Sequence, residues 1–208
     1  MMLAVVLHGC LLTLGLILPL GMQNIFILNQ ASAHKSLISA LPCIITAAIC
    51  DTFLILSSVL GISLIVLELP WLQNIILIFG FFFLIYIAYN TWKHASFKST
   101  AKKALTPKKQ IIFAISVSIL NPAAIIDTIT VIGSNALQYD GMEQIYFVTS
   151  CIGMSWLWFI SLGFAGHCIN KVDSNGKIIF YLNKISAIII LFVALMIGKE
   201  ILSLKLFN

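Results

Sequence analysis

The chain has 208 residues, 61% of them hydrophobic and 9% charged, with 12 basic against 7 acidic side chains for a formal net charge of +5. A soluble domain carries about 25% charged residues, so too little polar surface is present here to cover a water-exposed exterior. All the basic residues are lysines set between apolar runs, without the aromatic-basic interleaving of a nucleic-acid surface; no nucleic-acid partner is expected, and the lipid bilayer is.

Six apolar stretches follow in chain order, at about 3–28, 37–67, 71–92, 110–134, 144–169 and 178–204. At about 20 residues per crossing each can span a bilayer, and since hydrocarbon offers the backbone no hydrogen-bond partner, each is expected to be a helix. The predicted fold is an all-α polytopic membrane protein of about six transmembrane helices. The first stretch has no Lys or Arg ahead of it and no small-residue cleavage site, so it reads as a span and not as a cleaved signal peptide. The second is longer than a bilayer needs, which places its first turns, with Pro42, in the interface. The sixth holds Lys184 and ends near Lys199 and Glu200, which snorkelling would accommodate.

The lysines set the orientation. Alternate connections hold Lys35, the six lysines between 93 and 109, Lys171 and Lys177 on one side; the other holds Lys199 and Lys205 with Glu68, Asp140 and Glu143. The positive-inside rule then puts the 93–109 loop in the cytoplasm and both termini outside. The cysteines, Cys10, Cys43, Cys50, Cys151 and Cys168, lie in or beside apolar runs without a CxxC pair and read as small buried hydrophobes. His8, His34, His94 and His167 are scattered without metal-ligand spacing, so no metal is expected. There is no Ser-His-Asp order, phosphate-cradling glycine motif or HExxH, which argues against an enzyme.

Shifting the chain by 103 residues lays Pro19 on Pro122, Asn24 on Asp127 and Thr46 on Thr149, and the run ITAAICDTFLIL over VTSCIGMSWLWF. The predicted organisation is a single membrane domain of two repeats, about 3–92 and 110–204, joined by the basic 93–109 loop. With three spans each, the halves insert in opposite orientations, an architecture that puts a transport site near the bilayer midplane.

Three places break the apolar rule. In PLGMQN, Pro19 and Gly21 weaken the first helix while Gln23 and Asn24 bring amides into it. In LNPAAIID, Asn121 and Pro122 break the fourth helix and Asp127 follows. Asp51 lies mid-way along the second stretch. A carboxylate at the membrane centre costs about 2.5–3.5 kcal/mol unless it is paired, protonated or hydrated. The sequence has no Arg, and Lys184 is the lone lysine inside a span, so the missing cation is expected to be a ligand: a proton, a metal ion or an organic cation.

These motifs carry a resemblance. PLGMQNIFILNQ, ICDTFLIL and ILNPAAIIDTITVIG with its downstream QYDG resemble the corresponding segments of the LysE-type basic amino acid exporter family, over nearly the whole length. Where that family usually has a second proline in the first-span motif, this chain has Met22. The resemblance implies secondary active export of L-lysine or L-arginine from the cytoplasm across the bacterial cytoplasmic (inner) membrane, coupled to proton import by alternating access. It assigns substrate and coupling roles to Gln23, Asn24, Asp51, Asn121 and Asp127 and helix breaks to Pro19, Gly21 and Pro122, with no cofactor. A homo-oligomer is left open.

Moving one positive charge out against an inside-negative potential costs about 2.3 kcal/mol per 100 mV, whereas exchange for a proton is electroneutral. A carboxylate can perform that exchange by binding the cation when ionised and releasing it when protonated. Asp51, Asp127 or the pair jointly is the expected switch. Export of a neutral amino acid of the homoserine or threonine type, or of a divalent cation as elsewhere in the superfamily, stands as the alternative.

Overall fold

Long apolar runs with polar punctuation become helices joined at their punctuation. The computed structural model describes residues 2–18, 21–34, 36–61, 69–94, 104–173 and 177–206, and among these there is no strand. Helices α1 (Met2–Ile17) and α2 (Met22–Ala33) are followed by a 3-10 turn (Leu37–Ala40), α3 (Leu41–Val59) and α4 (Pro70–His94). Then come α5 (Pro107–Ile119), α6 (Pro122–Asp127), a π-helical stretch (Thr128–Gly133) running into a last turn (Ser134–Ala136), α7 (Met142–Val172) and α8 (Lys177–Leu206).

Three helical segments are long and apolar enough to cross a membrane alone: α3 with its preceding turn, α7 and α8. Two further helix pairs are long and apolar enough only when each is taken together as one broken span, α1 with α2 bent by 80° and α5 with Ala124–Ala136 bent by 63°. Helix α4, apolar over Leu77–Lys93, stands in the place of the third expected span. Leu3, Leu11, Phe53, Phe79, Phe164 and Phe192 are each more than 60% exposed, the outward apolar face that a bilayer solvates. The chain is a multi-pass, all-α membrane protein.

Local chemistry explains the element ends. Pro42 and Pro107 occupy first turns, where a missing N–H costs no helix bond. Gly141 precedes α7 at φ 53°, a backbone region that side chains disfavour, so the QYDG turn needs a glycine there. Cys43 and Cys151 are buried, whereas Cys10, Cys50 and Cys168 are half-buried, so the expectation of five buried thiols holds for two. Lys184 does not extend freely to water; its Nζ sits 3.5 Å from the Trp92 ring centroid and donates to the Trp92 carbonyl at 3.2 Å. Pro19, Lys35, the end of the second stretch beyond 61 and the 95–103 part of the basic loop lie outside the described residues.

The packing interleaves the two halves of the sequence. Helix α7 lies along the first broken span: Gly9 faces Phe147 and Cys151, and Gly166 lets α7 approach the Leu28 carbonyl and Ala31 of α2. Helix α3 lies along the second broken span, with Cys43 beside Gln110 and Ser58 beside Gly133. The two long helices meet running in opposite directions, Ile44 against Gly163 and Asp51 against Ser155. Small residues at such contacts let backbones approach where lipid tails compete with any apolar side chain.

Two apolar layers result. One gathers Phe26–Leu28, Ala31, Ala47, Ala114, Phe159 and Leu162, and is capped by Gln110, fully enclosed, which bonds His34 at 2.9 Å and the Ser39 and Leu105 carbonyls at 2.9 and 3.0 Å. The other gathers Val5, Ile55, Ile132, Phe147 and Cys151, with His8 Nδ1 2.7 Å from the Tyr139 hydroxyl. A third cluster joins α4 and α8 to Met22 and Val117. Along α3, α7 and both bent helix pairs, carboxylate, amide and hydroxyl side chains join the apolar ones between the first two layers.

Candidate functional site

Between those layers is a hollow of about 100 Å³, lined from both halves. The first broken span contributes Leu16, Ile17 and Gly21–Asn24; α3 contributes Asp51; the second broken span contributes Asn121, Ala124, Asp127 and Thr128; α7 contributes Phe159.

Helix α2 begins at the hollow. Gly21, at φ −66° and ψ 176°, caps it with no side-chain hydrogen bond, so the N–H groups of its first turn are not capped from within. Met22 is the first residue of α2 and is 4% exposed, its side chain packed beside Leu77 and Ile190. A first helical position suits proline and tolerates any residue, which is why the break persists with methionine there. Asn24 straps the break: its Nδ2 donates to the Ile17 carbonyl at 2.7 Å and its Oδ1 accepts from Trp158 Nε1 at 3.3 Å. Gln23 Nε2 donates to the Ala47 carbonyl at 3.4 Å, tying α2 to α3.

The second break is built differently. Asn121 precedes α6 in extended conformation without capping it, and its Oδ1 is buried with no hydrogen-bond partner among the described residues. Pro122 points away from the hollow and rests on α4, where a β-carbon at Gly80 would overlap its ring. After six residues α6 loosens into the π-helix, the Thr128 N–H shared between the Ala124 and Ile125 carbonyls. Single-turn π segments inside helices recur at functional sites.

The two carboxylates differ in company. Asp51 is half-buried and accepts a hydrogen bond from the Ser155 hydroxyl of α7, while the adjacent Thr52 Oγ1 accepts from Trp156 Nε1 at 3.0 Å. Asp127 is exposed on the hollow, without a protein hydrogen bond among the described residues. No ion pair joins either of them to a described lysine. No three His, Cys, Asp or Glu side chains converge as a metal-ligating group among the described residues.

The structure thus brings Gly21, Gln23, Asn24, Asp51, Asn121 and Asp127 around one hollow and turns Pro122 outward as a buttress; Pro19 is outside the described residues. Sequence reasoning missed Ser155, Trp156, Trp158 and Phe159. Serine and tryptophan break no rule in an apolar helix, and the one available signal was that VTSCIGMSWLWF overlies the Asp51 segment in the repeat.

The family model for the LysE type translocator matches residues 14–200. The chain is 46% identical over 183 residues, 88% of its length and 83% of the relative's, to YisU of Bacillus subtilis (strain 168), provisionally named an amino-acid transporter. It is 28% identical over 199 residues to the arginine exporter protein ArgO of Escherichia coli (strain K12), covering 93% of this chain and 92% of that one. ArgO of Enterobacter sp. (strain 638) is 28% identical over 205 residues, with 96% and 95% covered. No solved structure matches the chain. Two bent helix pairs around a hollow that holds two carboxylates and a family match over most of the length agree: this chain belongs to the LysE type translocator family, and it is a transporter, not an enzyme.

Proposed function

We propose that the chain exports a basic L-amino acid, arginine or lysine, from the bacterial cytoplasm in exchange for protons, by alternating access. The observation that carries this is that Asp51 and Asp127 line one hollow with no resident cation paired to either. Removing charge from water is tolerated when a partner is supplied, and here the partner is the cargo. The arginine-exporting relatives support the same cation.

A zwitterionic cation has three groups to satisfy. Its carboxylate suits the uncapped first turn of α2, where N–H groups and the helix dipole favour negative charge. Its α-ammonium suits the unpartnered Asn121 Oδ1, and its side-chain cation suits an aspartate. At about 100 Å³ the hollow is tighter than the ~300–1,000 Å³ of sites that enclose small molecules, so loading requires one apolar layer to part. Interleaved packing of α3 and α7 on each other's broken span supports the inverted-repeat reading, in which the layers open in turn. The layer beside Leu105 and the basic loop then faces the cytoplasm.

The test is efflux from proteoliposomes preloaded with labelled arginine, lysine, threonine, homoserine or a divalent cation, at equal and at acidic external pH. Arginine or lysine should leave faster into acid. Efflux of the neutral amino acids alone would replace this reading with that of a neutral amino acid exporter, and a stimulation by divalent cargo alone would replace it with that of a metal exporter.

A further inference from the structure

We propose that the two carboxylates divide the work: Asp127 holds the cation of the cargo, and Asp51, with the Ser155 hydroxyl as its positioning partner, carries the proton. This rests on the exchange of a basic amino acid for protons proposed above, and deepens it by assigning each charge to one side chain.

The division follows from what each carboxylate already holds. A serine hydroxyl both donates and accepts, so Ser155 can donate to an ionised Asp51 and accept from a protonated one. Asp51 therefore keeps a partner in both protonation states and can change state without a ligand. It sits where α3 and α7 cross, and Ser155 is fully enclosed, so a bulky cation would have to part that crossing to replace the hydroxyl. A proton needs no such room.

Asp127 has the opposite provision. It is exposed on the hollow, bonded to no protein donor among the described residues, and rooted where α6 gives way to the π-helix. Its charge can be satisfied from the hollow, by water or by a ligand. Asn121, one helix start away, adds a buried acceptor that also lacks a donor. Two acceptors without donors on one broken span fit the two cationic groups of a basic amino acid, with the anionic end toward α2.

The titratable groups near Asp51 are Cys50 of its own helix, which faces Ser118 of α5, Cys151 of α7 with Cys10 of α1 behind it, and Asp127 across the hollow. Among the described residues none of these neighbours is basic, so no protein cation competes with a proton at Asp51.

The experiment uses the full chain in proteoliposomes and reads arginine binding, arginine-arginine exchange without a pH gradient, and gradient-driven arginine efflux. For Asp127→Asn, binding should weaken by about a hundredfold, as when one partner of a desolvated charge pair is removed, and both transport modes should fall with it. For Asp51→Asn, binding should stay within a few-fold of the unsubstituted chain while gradient-driven efflux loses its dependence on external pH. Ser155→Ala should displace the pH midpoint of efflux by about one unit, with Ser155→Thr restoring it; a merely structural serine would lower rates without moving the midpoint. If Asp51→Asn does not fold, the Ser155 pair alone decides, and an unmoved midpoint overturns the division. Equal loss of binding in both aspartate variants, or retained binding in Asp127→Asn, also overturns it while leaving basic amino acid export standing. A chain that binds neither arginine nor lysine overturns that export and the division together.

Discussion

The two helix breaks occupy matching places in the chain and are opposite in construction. At the first, nine of the 12 residues of α2 are buried, and Asn24 ties the incoming and outgoing segments together. At the second, Ala124, Ile125 and Ile126 are half-buried, Asp127 is exposed, and the helix dissolves into a π turn with no side chain bridging the gap among the described residues. One break is sealed and braced from within; the other is open and propped from outside by Gly80 against Pro122. A transporter needs both characters, a fixed frame to orient cargo and a yielding wall to admit it.

The prop offers the strongest way to break this contrast. Gly80→Leu places a branched side chain where even a β-carbon meets the Pro122 ring, and overpacking of this kind costs about 1–3 kcal/mol or more. Thermal unfolding in detergent should show a midpoint well below that of the unsubstituted chain. Next comes the brace: Asn24→Ala strands the Ile17 carbonyl and the Trp158 N–H, and each buried group left unmatched costs about 1–3 kcal/mol. A smaller loss is expected for Lys184→Met, away from both breaks, where the contact with Trp92 is worth about 0.5–1 kcal/mol at an exposed site; transport should be unchanged. Asn121→Ala sharpens the contrast by costing folding almost nothing, because its buried oxygen has no partner to lose. Arginine binding measured by isothermal titration should nonetheless weaken about tenfold, the worth of one hydrogen bond to a charged group.

Legibility followed chemical oddity. Asp51, Asp127 and Asn121-Pro122 were readable because a carboxylate or a proline in an apolar run has few structural excuses. The spans were readable because hydrophobicity alone demands helices in lipid. What the sequence concealed were groups whose role lies in their neighbours. Ser155 is an ordinary residue until Asp51 arrives from 104 positions away, and Trp158 until Asn24 does. Gln110 sits at the edge of an apolar stretch, and its bonds reach back 71 and 76 residues to Ser39 and His34. Likewise, the π-helix at Thr128–Gly133 has no composition signature, since it is set by each N–H reaching the carbonyl five residues back instead of four. Met22 departs from the family motif at a position where backbone geometry, not side-chain identity, makes the break.

The exchange of partners between α3 and α7 has a mechanical corollary. Because each long helix is seated on the opposite half's kinked span, neither half is a lobe that can swing by itself. Sliding of α3 past α7 is felt at both kinks in the same instant, with opposite sign. Under the alternating access proposed above, a geared joint of this kind would make the two entrances reciprocal, so that a through-going leak of ions would require the gear itself to come apart.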